Sequence, residues 1–301
     1  MFIYGYNHQF IFFKLTDYGS IPMRFRQAVM TIPATRKIAE LAGFLIFALK
    51  VQKAESDDLN FPCDSGGIAI PPARLRFRVH GDLNRDYFLK NGETIANDLR
   101  NLTKIAGREW SSFSDILDFG CGPARVLRFF LAQDHGQKYS GTDIDKESID
   151  WCKKNISGAD WMVNPPLPPT GYPDGAFDLI FAISVFTHLD ENFQDAWLPE
   201  LKRITRPGAI LILSVHGEPV IQKADLNPGQ KEELERKGFL FVTGTTGKLK
   251  LDGLPDFYQT AYHTNEYIRQ TWTEHFEIVA HIPKAINNHQ DAVILRHRGN
   301  G

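Results

Sequence analysis

The sequence contains little cysteine. Cys63, Cys121 and Cys152 are the only three in 301 residues, and no two of them form a Cys-x-x-Cys pair. An odd, widely spaced set excludes a disulfide framework, offers no zinc site of common spacing, and is typical of a reducing compartment. We therefore expect a cytoplasmic protein without a bound metal ion.

The sequence also lacks an excess of charge of either sign. Lys and Arg total 34 against 36 Asp and Glu, which gives a formal net charge of -2. A protein that binds nucleic acid or an anionic membrane through its overall field carries a marked basic excess. The balance predicts a small-molecule partner and no nucleic acid.

Long hydrophobic runs are missing as well. The two apolar stretches near the N-terminus, 10–13 and 41–49, are far shorter than the roughly 20 residues that a membrane-spanning helix needs. The first also lacks the basic start and the cleavage site of a secretory signal. We expect no transmembrane segment. Basic residues flank the second stretch, so it is either an interfacial helix or, as we favour, a helix packed on its own domain or on a second subunit in a homodimer.

Residues 1–70 show no alternation of strands and helices, and turn-forming residues are dense in 61–72. We predict an N-terminal helical appendage and linker over 1–70 and one domain over 71–301. Just after this boundary, Arg74, Arg76 and Arg78 alternate at strand spacing. This spacing predicts a solvated strand face, with an anion or acceptor contact as the alternative.

From residue 115 the alternation is regular. We predict strands at 115–119, 138–143, 161–163, 177–183 and 209–215, with helices at 124–132, 146–154 and 193–204 between them. Single helices between strands imply parallel pairing with right-handed crossovers. Two further strands, at 276–281 and 292–296, complete the pattern. The predicted fold is α/β, a doubly wound Rossmann-like, mostly parallel seven-stranded sheet with helices on both faces.

An insertion over 217–261 interrupts the pattern after the fifth strand. It contains a charged helix candidate at 230–237 and a predicted hairpin at 239–251, which turns at 244–247. Insertions beside the open end of such sheets are typical positions for substrate lids. We therefore predict that this segment covers a substrate.

Polar residues and glycines follow the first four strands. In open α/β sheets, ligands bind beyond the carboxyl ends of the strands, where the strand order reverses. An acid at the tip of the second strand can accept hydrogen bonds from two ribose hydroxyls, and an apolar neighbour can cover an adenine ring. We expect these residues to lie together: Asp118, Gly120, Cys121, Gly122, Asp143, Ile144, Asn164 and Ser184.

A glycine loop alone is weak support, because nicotinamide and flavin enzymes share it. Here the third glycine position of the dinucleotide fingerprint holds Arg125, which obstructs the close packing that a pyrophosphate requires. Asp118 at the entrance of the loop would repel a pyrophosphate but suits a cationic, methionine-like end. The loop therefore favours a nucleoside that carries positive charge.

Four segments in order resemble the motifs of the class I S-adenosylmethionine-dependent methyltransferases. They read LDFGCG (117–122), GTDI (141–144), DGAFDLI (174–180) and LPELKRITRPGA (198–209). The resemblance covers residues 115–216 and, through two last strands, extends to about 297. It implies S-adenosylmethionine as cofactor and methyl transfer to an oxygen or nitrogen of a small-molecule or glycan-type acceptor.

The resemblance also implies roles for individual residues. The loop of Gly120, Cys121 and Gly122 would lie along the methionine part of the cofactor, with Asp118 holding its amino group. Asp143 would bind the ribose hydroxyls, and Ile144 would line the adenine. Asn164 stands where many members carry an acid that meets the adenine amino group, and its amide oxygen can accept the same bond.

For a hydroxyl acceptor we expect a general base, whereas an amine acceptor can react without one. The candidate bases are His188, His216 and His263, each with a structural role as the alternative. Tyr258, Tyr262 and Trp272 are candidates for a substrate wall or for the core, and Gln290-Asp291 for a turn or for the pocket.

Two other classes of function stay open at this point. The domain is alternatively a cofactor-binding module without turnover, acting as a scaffold or regulatory subunit. It is alternatively an NAD(P)-dependent oxidoreductase, which a titration with both cofactors would distinguish.

Overall fold

A computed structural model describes residues 33–132, 136–244, 255 and 257–299, with side chains from residue 41 onward. Seven strands form one sheet in the order β3-β2-β1-β4-β5-β9-β8, and β6 and β7 form a separate two-stranded sheet. Only the pairings of β9 with β5 and β8 in the large sheet are antiparallel. The strands are β1 Asp115–Phe119, β2 Lys138–Asp143, β3 Ala159–Val163, β4 Phe177–Ala182, β5 Thr205–Val215, β6 Phe239–Val242, β7 Thr260–His263, β8 Glu277–Ile286 and β9 Gln290–Arg296.

The helices precede the sheet, connect its strands and build the insertion. They are α1 Pro33–Asp58, α2 Ala73–His80, α3 Arg85–Ile105, α4 Arg128–Leu131, α5 Lys146–Asn155, α6 Glu191–Ile204, α7 Glu218–Ile221, α8 Pro228–Lys237 and α9 Asn265–Thr271. Short 3-10 turns lie at Trp110–Ser112 and Trp272–Glu274. Within the described ranges, none of these helices is long and apolar enough to cross a bilayer.

The sheet is buried on both faces. Successive side chains of a strand point to opposite sides, so in β1 Ile116 belongs to one hydrophobic core and Leu117 to the other. Helices α3 and α5 cover the first face, and α6 and α9 cover the second. The predicted doubly wound sheet is confirmed, and its strand order reverses between β1 and β4.

Side-chain caps fix where the helices that follow strand ends begin. Asp145 accepts a hydrogen bond from the N–H of Glu147 and starts α5, and Asp190 does the same for α6 through Phe193. Such caps satisfy N–H groups that the helix cannot bond internally. As a result α5 begins at Lys146, three residues after Asp143, and the strand-end acid stays at the edge of the sheet.

The predicted strand with three alternating arginines is wrong, because Arg74, Arg76 and Arg78 lie on helix α2. Arg76 is 1% exposed and donates to the carbonyl oxygens of Pro71 and Leu83 and to Asp58 of α1. All three partners lie outside α2. The position of Arg76 is therefore set by hydrogen bonds to other segments, which the spacing of the three arginines in the sequence does not reveal.

The helix predicted at 124–132 is shorter than expected. Ala124 has a φ of 59°, in the left-handed region, and the α-helix spans only Arg128–Leu131. A non-glycine residue rarely adopts this conformation, and it interrupts a right-handed helix. The backbone from Gly122 to Leu127 instead turns closely around the end of β1.

The described arm of the predicted hairpin is strand β6. Strand β6 pairs antiparallel with β7, so that Phe239 faces His263 and Val242 faces Thr260. The predicted second arm and most of the predicted turn lie in 245–254, outside the described residues. The charged helix predicted at 230–237 is confirmed as α8, which begins with a capping box at Asn227.

Arg76 and Arg74, the most buried and the most exposed arginines of α2, give a matched test of how α2 packs on the domain. Arg76→Ala leaves buried acceptors without a donor, so we expect a loss of about 3 to 5 kcal/mol in the free energy of unfolding. Arg74 is half-exposed and pairs with Glu147, so Arg74→Ala should cost about 1 kcal/mol or less. Urea unfolding of both variants measures the difference, and equal losses would contradict the assigned role of Arg76.

Candidate functional site

One cleft lies beyond the carboxyl ends of β1 to β4, with about 950 Å³ of empty space that is partly open to solvent. All eight residues predicted to hold a cofactor line it. The cleft is also lined by side chains from α2, from the loop before α4 and from the end of the insertion, including Arg78, Val79, Arg125, Phe257 and Tyr258. The sequence placed Arg125 in the glycine loop, and it gave a contact by the arginines of α2 only as an alternative.

The glycine loop is bound to the end of β2. The N–H groups of Gly120 and Cys121 both donate to the carbonyl oxygen of Thr142, and the N–H of Gly122 donates to Asp143 Oδ2 at 2.7 Å. A Cβ on Gly120 would lie 2.3 Å from Val185, and one on Gly122 2.5 Å from Val79. With φ values of 80° and 51°, these positions require glycine for both space and conformation.

Asp118 is a buried acid without a described partner for one oxygen. It is 2% exposed, and within the described part of the chain its Oδ2 makes no hydrogen bond. Burial and the neighbouring charge of Asp143 raise its pKa well above the ordinary value, against the opposing effect of Arg125. A carboxylate in this state suits a cationic ligand group, which would restore its lost interactions.

Asp143 has a backbone donor on each carboxylate oxygen. The N–H of Gly122 bonds to Oδ2, and the N–H of Asp145 bonds to Oδ1 at 2.8 Å. Burial raises its pKa, and these two donors oppose the shift. Because each carboxylate oxygen has two lone pairs, the same group can accept two further hydroxyls from the cleft.

Asn164 lies on the floor of the cleft beyond β3. Its Nδ2 donates to the carbonyl oxygen of Pro165, and its Oδ1 lies 3.0 Å from the hydroxyl of Thr142. The next proline is fixed in turn, since Trp197 donates its ring N–H to the carbonyl oxygen of Pro166. This network orients the amide that the sequence assigned to the adenine.

Ser184 adopts a left-handed conformation, with a φ of 60°, at the end of β4. Its N–H donates to Ser214 Oγ, its hydroxyl bonds to the amide of Gln290, and its carbonyl accepts from the phenol of Tyr258. A strained backbone that its surroundings hold this firmly is typical of functional sites. Gln290 thus supports the pocket, which answers the question the sequence left open for it.

Two of the candidate bases lie together next to Tyr258, which lines the cleft, but neither of them lines it directly. His188 is half-buried, stacks on Tyr258 at a ring distance of 4.1 Å, and bonds through Nδ1 to the carbonyl oxygen of Gln259. His216 lies behind it, with ring centroids 6.1 Å apart. Burial and the proximity of His188 lower the pKa of His216 well below its ordinary value, so it is neutral at physiological pH.

The third candidate base faces the core, and this is a correction. His263 is fully buried, bonds through Nε2 to Gln194, and packs against Phe239 and Trp272. Burial lowers its pKa to about 3. Trp272 is equally buried, so the substrate-wall alternative fails for it as well. In the described ranges, no group of three or more His, Cys, Asp or Glu residues is placed to hold a metal ion.

Residues 117–213 match a family model described as a methyltransferase domain. Malonyl-[acyl-carrier protein] O-methyltransferase from Enterobacter lignolyticus (strain SCF1) is 25% identical over 150 residues, which cover 47% of this chain and 58% of that protein. The chain therefore contains a methyltransferase domain within 117–213. This match agrees with the motif resemblance, which implies S-adenosylmethionine as the cofactor.

Solved structures of low identity are similar to this chain. A SAM-dependent methyltransferase from Methanosarcina mazei is 18% identical, with 61% of this chain and 92% of that chain covered at a TM-score of 0.43. The 1,6-didemethyltoxoflavin-N1-methyltransferase of Burkholderia thailandensis is 17% identical, with coverages of 75% and 88% and a TM-score of 0.47. Human N-acetylserotonin methyltransferase in complex with SAM is 13% identical, with coverages of 87% and 70% and a TM-score of 0.49.

The burial of Asp118 predicts a conflict between stability and binding. Because the fold raises its pKa, the charged form destabilises the ligand-free protein above the ordinary pKa of aspartate. We expect Asp118→Asn to raise the free energy of unfolding at pH 7 by about 0.5 to 2 kcal/mol while weakening S-adenosylhomocysteine binding. Urea unfolding at a series of pH values tests this, since the gain should shrink as the pH falls toward 4. A destabilised variant at pH 7 would contradict the assignment.

Proposed function

We propose that the methyltransferase transfers a methyl group to an oxygen or nitrogen atom of a small-molecule or glycan-type acceptor. The observation that carries the proposal is that Asp118, Asp143 and the glycine loop line one cleft. When bound, S-adenosylmethionine supplies a methyl group on a cationic sulfur, which is a good leaving group. The protein contributes mainly alignment and exclusion of water, an effect worth roughly 7 to 11 kcal/mol at best.

The residues of the cleft divide between the parts of the cofactor. Asp118 binds the ammonium group, because its unpaired oxygen is buried in the cleft. Asp143 accepts the ribose hydroxyls with the lone pairs that its two backbone donors leave over. Ile144 and Asn164 enclose the adenine, and the backbone of Gly120, Cys121 and Gly122 follows the amino-acid tail.

The acceptor binds on the side of Ser184 and Tyr258. The Nδ1 of His188 donates to the carbonyl oxygen of Gln259, so in the neutral ring Nε2 is the nitrogen that carries the lone pair. We assign His188 as the general base for a hydroxyl acceptor. The ring of His216 packs beside that of His188, with centroids 6.1 Å apart, and supports its position. The O-methyltransferase name of the Enterobacter relative supports oxygen as the acceptor atom.

Two segments outside the strands form a lid. Val79 of α2 packs on the glycine loop, and Phe257 and Tyr258 from the end of the insertion line the opposite wall. We assign 71–301 as the catalytic domain and the 217–261 insertion as the part that selects the acceptor. The absence of a net basic charge supports an acceptor other than nucleic acid.

A homodimer through the N-terminal segment and a cytoplasmic location stay predictions. Helix α1 supports the dimer, because four large apolar side chains on it are more than half exposed: Leu41, Phe44, Leu45 and Leu49. Exposed apolar patches of this kind are typical of interaction surfaces.

Removal of the ribose-binding carboxylate tests the cofactor assignment. We expect Asp143→Ala to weaken S-adenosylhomocysteine binding by about 1 to 3 kcal/mol, because charge-assisted hydrogen bonds are lost. Isothermal titration calorimetry measures the change. Asp160→Ala, which removes an exposed acid from β3, is the matched control and should leave the affinity unchanged. An unchanged affinity in Asp143→Ala would reject the ribose assignment.

Transfer of a radiolabelled methyl group to a panel of alcohols, carboxylic acids and amines tests the acceptor side. For a hydroxyl acceptor, His188→Asn should lower kcat by about 10²- to 10⁴-fold through loss of the base, with little change in S-adenosylhomocysteine affinity. His275→Asn, directly after the 3-10 turn Trp272–Glu274, is the control and should retain activity. An unchanged kcat in His188→Asn would reject the assignment of His188 as the general base. Cofactor binding without transfer to any acceptor would favour the non-catalytic module.

A further inference from the structure

The cleft is too narrow for a nucleoside in the conformation described above. Much of its empty space of about 950 Å³ is open solvent or clearance between side chains, and the cavity volume in which a water molecule fits is about 100 Å³. Sites for small molecules usually offer roughly 300 to 1,000 Å³. At least one wall of the cleft must therefore move outward before S-adenosylmethionine can enter.

The walls at the strand ends are fixed by hydrogen bonds. The glycine loop is bound through three N–H groups to Thr142 and Asp143. Asn164 is held by Thr142 and Pro165, and Ser184 is bound by side chains from β5 and β9. The walls that can move are therefore the ones formed by segments outside the large sheet, which are α2 and the end of the insertion.

Helix α2 forms one wall of the cleft without packing into either core of the sheet. Its buried apolar residues, Ala73 and Leu75, belong to neither of the two hydrophobic clusters that cover the sheet. Phe77 packs instead against Phe47 of α1, with ring centroids 4.9 Å apart. The apolar contacts of α2 therefore do not fix its distance from the strand ends.

Ion pairs connect α2 to the ribose side of the cleft. Arg78 donates from Nη1 to Asp145 and from Nη2 to Glu147, each at 2.7 Å, and Arg74 also pairs with Glu147. The N–H of Asp145 in turn bonds to Asp143, the acid assigned to the ribose. We call Arg74, Arg78, Asp145 and Glu147 the arginine clasp.

The same turn of α2 covers the glycine loop. Arg78 and Val79 line the cleft, and a Cβ on Gly122 would lie 2.5 Å from Val79. The Arg78 side chain is 10% exposed, and among the described residues its Nε has no hydrogen-bond partner. Opening α2 would return this N–H to water, which lowers the cost of breaking the clasp. Partly exposed ion pairs such as those of Glu147 are also weak individually.

We propose that α2 is a gate for the cofactor, held shut by the arginine clasp, and that S-adenosylmethionine enters and leaves when the clasp is broken. The proposal rests on the proposed function, since the gate serves the same cleft and the same cofactor. Because the clasp joins two segments of the protein, weakening it raises the open fraction of the free and of the bound protein by the same factor. Association and dissociation should therefore accelerate together, while the affinity stays nearly unchanged.

The first test removes one acid of the clasp that does not line the cleft. Stopped-flow measurement of tryptophan fluorescence follows the binding and release of S-adenosylhomocysteine, because Trp197 lines the cleft. In Glu147→Gln, both rate constants should rise ~2- to 5-fold, with a Kd within about threefold of that of the unaltered protein. Arg78→Met removes two of the ion pairs and should raise both rate constants further.

Three results would contradict the gate. Unchanged rate constants in Glu147→Gln and Arg78→Met would show that α2 does not control entry. Faster dissociation alone, with a weaker affinity, would show that the clasp only supports the bound state. If S-adenosylhomocysteine does not bind to the unaltered protein, the cofactor assignment itself fails and the gate fails with it, which is a different result from binding at unchanged rates.

Ionic strength gives a second test. S-adenosylhomocysteine carries no net charge at neutral pH, so salt has little effect on its diffusion to the protein. Raising NaCl from about 0.05 M to about 1 M screens partly exposed ion pairs and should accelerate both rate constants in the unaltered protein. The acceleration should be much smaller in Arg78→Met, where most of the clasp is already lost. An equal acceleration in both proteins would overturn the assignment to the clasp.

A matched control removes an ion pair from the same turn of α5 that does not involve α2. Lys146 is exposed and pairs with Asp150 of its own helix. Lys146→Met should leave both rate constants and the affinity as in the unaltered protein. Faster association and dissociation in this variant would show that the rates report general damage to the start of α5, and the gate would be rejected.

Discussion

Parallel pairing between β1 and β2 is the constraint on which the site depends. The register sets Asp118 opposite Gly141 and Phe119 opposite Thr142, so the chain leaves β1 beside the end of β2. The carbonyl oxygen of Thr142 then receives two N–H groups of the glycine loop, and Asp143 receives a third. The loop and Asp143 therefore form one hydrogen-bonded unit. A shift of the register would displace both acids and dismantle the loop at the same time.

The cleft is built at a cost to the stability of the ligand-free fold. Asp118 is buried with one oxygen that has no partner in the described part of the chain, and Ser184 has a backbone conformation that a serine rarely adopts. Both are held by surroundings that are otherwise well packed. Burial raises the pKa of Asp118, and a bound cation would lower it again, so that binding favours the loss of a proton from this acid. The strained serine connects the ends of β4, β5 and β9 to one wall of the cleft.

The sequence was sufficient for the sheet and for the residues that follow its strands. Residues such as Asp118 and Asp143 follow parallel strands, and parallel strands end at one edge, so their proximity needs no tertiary information. Other features depend on contacts between distant segments. The buried state of Arg76 depends on Asp58 and Leu83, and β6 pairs with β7 at the far end of the insertion. The sequence left the role of His263 open between a base and a structural residue, and the pairing of β7 with β6 leaves it buried in the core.

The most direct test of the account is a crystal structure with S-adenosylhomocysteine bound. The account predicts both ribose hydroxyls within hydrogen-bond distance of Asp143, about 2.5 to 3.0 Å, and the ammonium group at the buried oxygen of Asp118. The sulfur should then face Ser184 and Tyr258. A ligand whose ribose lies away from Asp143, or whose ammonium group does not contact Asp118, would contradict the central claim that these two acids define the cofactor site.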